Sequence, residues 1–114
     1  MKSLSIFAAI LFSLFTSNLF AQTSVKKETI KVWGNCGMCK SKIEKAAKKA
    51  GAKTASWNEE TKELKVSYSA KKTSNQKIQE AVAGVGYDTQ DFTADDKVYN
   101  NLHGCCQYER KAKN

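Results

Sequence analysis

The apolar residues between positions 29 and 92 change repeatedly from the spacing of a strand to the spacing of a helix. Alternation of apolar and polar residues favours a half-buried strand, whereas repeats of three and four favour an amphipathic helix. Alternation is seen in residues 29–33 and 64–68, and residues 53–57 and 87–92 are predicted to be two further short strands. The helical segments are residues 39–50 and the stretch from a Thr73-x-x-Gln76 capping box to Gly84. The order of elements is therefore β-α-β-β-α-β.

That order predicts an α+β, ferredoxin-like domain of the split βαβ type. Two helices would pack on one face of a four-stranded antiparallel sheet, and together they would bury a single core. A chain of 114 residues leaves room for one such domain and little else.

The start of the chain has the organisation of an export signal. A basic Lys2 precedes an apolar run over residues 4–14, and the small residue Ala21 offers a cleavage site. The unbroken apolar run is too short for a comfortable membrane span. We therefore predict a cleaved signal peptide at residues 1–21, a periplasmic or secreted protein, and no stable membrane insertion after cleavage.

The rest of the chain divides into three parts. Residues 22–28 are polar and are predicted to be a flexible lead-in, and residues 29–92 form the domain. The periodic pattern is lost in residues 93–114, which are predicted to be a tail rich in potential ligands.

The formal net charge of the chain is +8. A basic balance often indicates nucleic acid binding. Because an exported protein rarely meets nucleic acid, we exclude that class of partner. The charge then indicates simple solubility, or docking to an acidic partner or an anionic surface.

Four cysteines are the residues best suited to carry chemistry. In an exported protein an even number of cysteines usually indicates disulfides. Cys36 and Cys39, however, form a C-x-x-C motif, and Cys105 and Cys106 are adjacent. A bridge across so short a loop removes little chain entropy, so both pairs are more typical of chemistry than of structural cross-linking.

The C-x-x-C motif lies where the first predicted strand joins the first predicted helix. Cys36 falls in the loop, and Cys39 falls in the first helical turn. Backbone N–H groups at a helix N-terminus, together with Lys40 and Lys42, favour the thiolate form of a cysteine. Two thiolates across one turn can form an open site for a soft ion, with Cu(I) preferred and Hg(II), Zn(II) and Cd(II) left open. An open site can take a third ligand from a partner, as metal transfer requires.

Two other interpretations of the motif compete with a metal site. One is a redox dithiol of the thioredoxin kind, and the other is a structural disulfide. Thioredoxin-like enzymes place a cis-proline beside the dithiol, whereas this chain contains no proline. That favours metal binding over redox catalysis, and no paired carboxylates, nucleophile elbow or phosphate loop indicates another enzyme. In an oxidising compartment a Cys36–Cys39 disulfide would be the metal-free resting form, which must be reduced before binding.

Two stretches of the sequence resemble the heavy-metal-associated domain family. They are Trp33-Gly34-Asn35-Cys36-Gly37-Met38-Cys39-Lys40 and Gly84-Val85-Gly86-Tyr87-Asp88. The family includes copper chaperones, N-terminal domains of copper-exporting ATPases and the periplasmic mercury-binding protein of mercury-resistance systems. The resemblance covers residues 28–92 and implies a ferredoxin-like fold with Cys36 and Cys39 as metal ligands. It also implies a partner that receives the ion, either a metal-transporting ATPase or another protein with an acidic face.

Three positions near the motif have roles that the resemblance leaves open. The family usually has Gly-Met-Thr before the first cysteine, where this chain has Trp33, Gly34 and Asn35. The family methionine packs beneath the metal loop, so Trp33 either fills that space or is an exposed strand residue. Met38 is either a weak thioether ligand or an exposed residue. Tyr87 matches a tyrosine near the metal loop, where its hydroxyl would restrain the thiolates, and core packing is the alternative.

The tail adds three potential ligands outside the family pattern, namely His103, Cys105 and Cys106. If the tail folds back, His103 and one of these cysteines would complete a Cys₃His set with Cys36 and Cys39, which suits Zn²⁺. The tail is alternatively an independent site, or its cysteines form a disulfide with the domain or with each other.

Lysines crowd the first predicted helix beside the metal loop. They form either an ordinary solvated face or a docking surface for an acidic partner. The positions assigned to the docking surface are Lys40, Lys42, Lys45 and Lys49. We therefore predict an exported protein, not an enzyme, that holds a soft ion and passes it to a partner. A thiol–disulfide redox protein and a Zn(II)- or Hg(II)-binding module are the alternatives.

Overall fold

The computed structural model describes residues 24–112. Within that range it contains three strands, which are β1 (Val25–Lys31), β2 (Thr54–Trp57) and β3 (Glu63–Ser69). The same range contains three α-helices, α1 (Gly37–Lys49), α2 (Asn75–Gly84) and α3 (Asp96–Asn100), and a 3-10 turn at Gly104–Cys106. No helix in this part of the chain combines the length and the apolar character needed to cross a membrane. The predicted signal peptide, residues 1–21, lies outside the described residues.

The strands form an antiparallel sheet in the order β1-β3-β2, so β3 is the central strand. Leu64 of β3 lies opposite both Ile30 of β1 and Trp57 of β2. All three side chains are buried. The alternation along β3 therefore turns one face of the sheet towards the core, as the two-residue period predicts.

Helix α1 buries one apolar face and leaves a lysine-rich face outside. Its buried residues are Cys39, Ile43, Ala46 and Ala47. They recur at three- and four-residue spacing, so they lie on one side of the helix. The helix stops at Gly51, where φ is 112°, a left-handed conformation that favours glycine.

Two predicted boundaries are corrected by the structure. Residues 25–28, assigned to a flexible lead-in, form the first part of β1 and pair with β3 from Val25 onward. Pairing in a ladder uses backbone groups, so this polar stretch joins the sheet without an apolar signal. Ser74, rather than Thr73, caps α2, because the Ser74 hydroxyl accepts a hydrogen bond from the Lys77 N–H at 3.2 Å.

The fourth strand predicted at residues 87–92 is reduced to a single bridge between Val32 and Thr89. Beyond that bridge the chain turns, because the Thr89 N–H donates to the Phe92 carbonyl oxygen at 2.8 Å. Gln79 of α2 holds the turn, since its amide oxygen accepts from the Thr89 hydroxyl at 2.8 Å. These bonds end the ladder after one bridge, so the sheet in the described residues has three strands rather than four.

Helix α2 buries a polar residue that the apolar pattern did not predict. Ile78 and Val82 are buried, as expected, but Val85 lies past the end of the helix and is 38% exposed. Gln79 is fully buried instead. Its side-chain amide is satisfied by the turn that follows, including the Asp91 N–H at 3.0 Å. The helix is therefore tied to that turn by hydrogen bonds as well as by apolar contact.

Residues 93–112, called here the C-terminal segment, fold onto the domain. Tyr108 anchors this segment, because its ring stacks on Tyr87 with the ring centroids 5.6 Å apart. The Tyr108 hydroxyl accepts from the Asp88 N–H and donates to the Gly86 carbonyl oxygen, each at 2.8 Å. The described part of the predicted tail is thus packed against the domain.

Candidate metal centre

Cys36 and Cys39 lie at the N-terminus of α1, directly after the loop that follows β1. Cys36 is the N-cap residue and has an extended backbone, with φ of −137° and ψ of −179°. Cys39 is fully buried, whereas Cys36 is half-buried. Their Sγ atoms are 3.7 Å apart, well beyond a covalent S–S bond of about 2.05 Å. Both residues are therefore free thiols close enough to hold one ion between them.

The N-terminus of α1 stabilises a thiolate at Cys36. The pKa of Cys36 is lowered from 9.0 to about 7, chiefly because the backbone N–H of Cys39 donates to its sulfur. Burial opposes this effect, and the backbone N–H of Met38 adds to it. The thiolate is the form that binds soft metals, so Cys36 is prepared for metal binding near neutral pH.

The 3-10 turn brings a third thiol, that of Cys106, to the same place. The Sγ atoms of Cys36, Cys39 and Cys106 all lie within 4.8 Å of one another. Cys106 is fully buried. Burial, followed by contact with the Cys39 thiol, raises the pKa of Cys106 to about 12. Cys106 is thus a neutral thiol at neutral pH unless a cation replaces its proton.

The main chain at Cys105 covers the loop that carries Cys36 (residues 33–36, called here the metal loop). Its carbonyl oxygen accepts from the Asn35 amide at 3.1 Å and from the Cys36 thiol at 3.4 Å. The side chains of Cys105 and His103 are both exposed and lie outside the thiol cluster. Of the three tail ligands predicted from the sequence, only Cys106 joins the motif within residues 24–112. The Cys₃His set with His103 is therefore not formed.

Arg110 fixes the C-terminal segment to the domain. Its guanidinium donates to both oxygens of the Asp88 carboxylate, at 2.8 and 3.0 Å, and also to the Asp96 carboxylate at 2.6 Å. Burial tends to raise the pKa of Asp88, but Arg110 and the backbone N–H of Ala94 outweigh it, so this pKa lies below its usual value. Asp88 is therefore a buried carboxylate whose charge is balanced by the segment.

Tyr87 lies beside the thiol cluster, as the family resemblance implied. It is fully buried, and its hydroxyl faces the thiols of Cys39 and Cys106. Burial, followed by these two thiols, raises the pKa of Tyr87 well above its usual range. The hydroxyl has no hydrogen-bond partner within residues 24–112. Its proton is thus available to a sulfur of the cluster.

Trp57, rather than Trp33, supports the loop that carries Cys36. Trp57 is only 1% exposed, and a Cβ atom added to Gly34 would lie 2.9 Å from its ring. The Trp57 indole N–H donates to the Val32 carbonyl oxygen at 3.0 Å. Trp33 is half-buried at the edge of the core. The loop therefore rests on a rigid ring contributed by β2.

The outer face of α1 carries the lysines that the sequence assigned to a docking surface. Met38 also lies outside and is 46% exposed. The Lys40 ammonium pairs with Glu44 and donates to the Trp57 carbonyl oxygen at 3.0 Å, so part of its charge is already used. The lysines of α1 that form no such ion pair within the described residues are Lys42, Lys45, Lys48 and Lys49.

Comparison with known proteins identifies the family to which this chain belongs. Residues 35–88 match the model of the heavy-metal-associated domain. A CopZ metallochaperone is similar over 56% of this chain and 98% of its own, with 32% identity and a TM-score of 0.54. This chain belongs to the heavy-metal-associated domain family. The family membership predicted from the sequence is thereby confirmed. The α+β fold is consistent with the ferredoxin-like fold of that family, but the described residues form three strands rather than the predicted four.

Two further solved structures are similar to this heavy-metal-associated domain. Oxidized MerP from Ralstonia metallidurans CH34 has 30% identity and a TM-score of 0.56, over 59% of this chain and 96% of its own. The N-terminal domain of a potential copper-translocating P-type ATPase from Bacillus subtilis, in its Cu(I)-loaded state, has 29% identity and a TM-score of 0.54. That match covers 58% of this chain and 85% of the other. A comparison with curated protein sequences gave no match.

Three residues of the centre were not identified from the sequence. Trp57 ends an alternating strand, and its position on the apolar side of the alternation was a signal that could have placed it in the core. Tyr108 and Arg110 lie beyond the family model, which ends at Asp88. No periodic pattern surrounds them, so their contacts could be found only from the folded chain.

Proposed function

We propose that this protein carries a soft metal ion, in the first place Cu(I), between the thiolates of Cys36 and Cys39, and passes it to a partner protein. The observation that carries the proposal is a pair of thiols 3.7 Å apart at a helix N-terminus, with the pKa of Cys36 lowered to about 7. Thiolates are soft ligands that suit Cu(I). Cys36 is half-buried, so one side of the pair is accessible to an incoming ligand.

The relatives support a carrier rather than an enzyme. The similar structures include a CopZ metallochaperone and a Cu(I)-loaded domain of a potential copper-translocating ATPase. The N-terminal domain of the zinc(II) ATPase ZiaA is similar as well, with 27% identity and a TM-score of 0.50, over 80% of this chain and 88% of its own. Zn(II) therefore stays as an alternative cargo, with Hg(II). Zn(II) usually takes four protein ligands in a closed site, and a cluster of three sulfur ligands favours the softer ions.

A thiol–disulfide redox protein is the second candidate. A Cys36 pKa of about 7 also suits an attacking thiol in disulfide exchange. Against this candidate, thioredoxin-like enzymes place a cis-proline beside the dithiol, and this chain contains no proline. The two candidates differ in a measurable way, because only a carrier needs the ion.

The lysine face of α1 is proposed as the docking surface for an acidic metal-receiving protein, such as a domain of a metal-transporting ATPase. Lys45 and Lys49 are exposed and line a groove on this face. Attraction between such charges is screened by salt, so binding to an acidic partner domain should weaken between 0.1 and 0.5 M salt, ionic strengths at which the screening length falls below roughly 10 Å. Lys45→Glu should weaken docking. Lys71→Glu is the control, because it makes the same change of charge on an exposed turn away from α1, and it should leave docking unchanged.

Export from the cytosol is also part of the proposal. It rests on the basic start and the apolar run of residues 1–21. Expression of the full chain in the native host, followed by intact-mass measurement of each cell fraction, tests it. A mass that begins at Gln22 in an extracytosolic fraction is expected, and an uncleaved chain in the cytosol would contradict export.

Native mass spectrometry of the reduced protein tests the cargo directly. The protein is offered Cu(I) and Zn(II) together under anaerobic conditions. One Cu(I) ion is expected to bind, and replacement of both Cys36 and Cys39 by Ser should abolish that binding. Cys105→Ser is the matched control, because this thiol lies outside the cluster, and it should keep the ion. Preferential binding of Zn(II) would show that Zn(II), not Cu(I), is the cargo. If the folded, reduced protein binds neither ion, the redox candidate is favoured.

A further inference from the structure

Cys106 completes a set of three thiols that the C-x-x-C motif alone does not provide. Its Sγ atom lies within 4.8 Å of the Sγ atoms of Cys36 and Cys39. An ion bonded to all three sulfurs would fit at the centre of a triangle of these dimensions after small movements of the side chains. The family model ends at Asp88, so Cys106 lies outside the part of the chain that the family pattern describes.

We propose that Cys106 is a third thiolate ligand, and that the C-terminal segment is a built-in cover that closes the site around the ion. This inference rests on the proposed function, since it concerns the same cargo. When the ion enters, the Cys106 thiol proton passes to solvent and a sulfur–metal bond takes its place. The ion so held is a soft one that accepts three sulfurs, such as Cu(I) or Hg(II).

The position of Cys106 is imposed by contacts on both sides of it in the chain. Before it, the Cys105 carbonyl oxygen accepts from the Asn35 amide at 3.1 Å, which ties the segment to the metal loop. After it, the Tyr108 hydroxyl bridges the Asp88 N–H and the Gly86 carbonyl oxygen at 2.8 Å each. A ligand held in this way loses little further conformational freedom on binding, which raises the affinity for the ion.

The cover has a direct consequence for transfer. A partner's thiolate would have to reach the ion at the place that Cys106 fills, so the segment competes with the partner. Cys106 is fully buried, and withdrawing it requires the 3-10 turn to leave the loop. The segment therefore holds the ion until a partner displaces it, and the carrier is slower to release its cargo than a two-thiolate site would be.

X-ray absorption spectroscopy of the Cu(I)-loaded protein tests the third ligand. The wild-type protein should show three sulfur neighbours around copper, and Cys106→Ser should show two while still binding one ion. Cys105→Ser is the matched control, because it removes the adjacent but exposed thiol. Copper in this variant should keep three sulfur neighbours. Circular dichroism of each variant establishes that the fold is intact, and Cys106→Ala serves if the serine variant is unfolded.

A kinetic measurement on the same variants tests the cover. Removal of Cu(I) by a competing chelator should be about tenfold faster in Cys106→Ser than in wild type or Cys105→Ser, on the scale by which supporting groups alter metal affinity. Two sulfur neighbours in the wild type, or equal release rates in all three proteins, would overturn this inference and leave the proposed function standing. Failure of the wild type to bind a soft ion at all would overturn both.

Discussion

The guanidinium of Arg110 donates two hydrogen bonds to the carboxylate of Asp88, the last residue that the family model covers. The pair joins the heavy-metal-associated domain to the C-terminal segment, and the segment in turn delivers Cys106 to the thiol cluster. The carboxylate is buried, whereas 18% of the Arg110 side chain is exposed. The attachment of the segment therefore depends on a charge pair that is largely withdrawn from water, as well as on the stacked rings of Tyr87 and Tyr108.

Replacement of Arg110 by Met should destabilise the protein. Asp88 would then be a buried carboxylate without its cationic partner, which typically costs about 3 kcal/mol in the free energy of unfolding. Urea denaturation followed by circular dichroism measures the change. Glu109→Gln, at the exposed neighbouring position, is the control and should alter stability by less than about 0.5 kcal/mol. Similar losses in the two variants would contradict the assigned role of the pair.

The same pair predicts how stability depends on pH. The pKa of Asp88 is lowered in the folded state, so its contribution is present above the ordinary value of 3.8 and is lost as pH falls below it. Arg110 stays charged throughout this range. The stability difference between wild type and Asp88→Asn should be largest near pH 7 and should shrink below about pH 4. A difference that stays constant from pH 7 to pH 3 would show that the carboxylate charge does not stabilise the fold.

Cys36 should react with alkylating reagents at lower pH than an ordinary thiol. Its pKa is lowered from 9.0 to about 7 because backbone N–H groups at the start of α1 stabilise the thiolate. The metal-free Cys105→Ser variant isolates this signal, since Cys39 and Cys106 are fully buried. Iodoacetamide labelling, quantified by peptide mass spectrometry from pH 5 to 9, should show a midpoint near pH 7. A midpoint above pH 8 would contradict stabilisation by the helix.

The parts of the fold that depend on the spacing of apolar residues could be predicted from the sequence. Leu64 and Ile43 lie on the buried faces that their periods predicted, and Cys36 and Cys39 lie at the predicted junction of strand and helix. The predictions were wrong where hydrogen bonds of polar side chains determine the local structure. Gln79 stabilises the turn at Thr89 through hydrogen bonds, so the predicted fourth strand is reduced to a single bridge. Hydrophobic periodicity carries no information about such bonds.

Only the Cys36–Cys39 part of the thiol cluster was predictable from the sequence. The spacing of Cys36 and Cys39 is a property of one helical turn, so the sequence places the two thiols together directly. Cys106 is distant in the chain and enters the cluster through the contacts of Tyr108 and Arg110 with the domain. Those contacts combine an aromatic stack with a buried ion pair, and neither has a fixed spacing that a sequence pattern could reveal. The choice of Cys106 over Cys105 follows from the 3-10 turn, which exposes one thiol and buries its neighbour.

Two glycines beside the metal loop should respond oppositely to the same substitution. A Cβ atom at Gly34 would lie 2.9 Å from the rigid ring of Trp57, whereas one at Gly37 would meet nothing within 4 Å. Gly34→Ala must therefore displace the loop, with a loss of about 1–3 kcal/mol in stability and weaker Cu(I) binding. Gly37→Ala should leave both unchanged or slightly improved, because alanine favours the helix. Thermal unfolding and Cu(I) competition titrations measure the two effects, and equal behaviour of the variants would show that Trp57 does not support the loop.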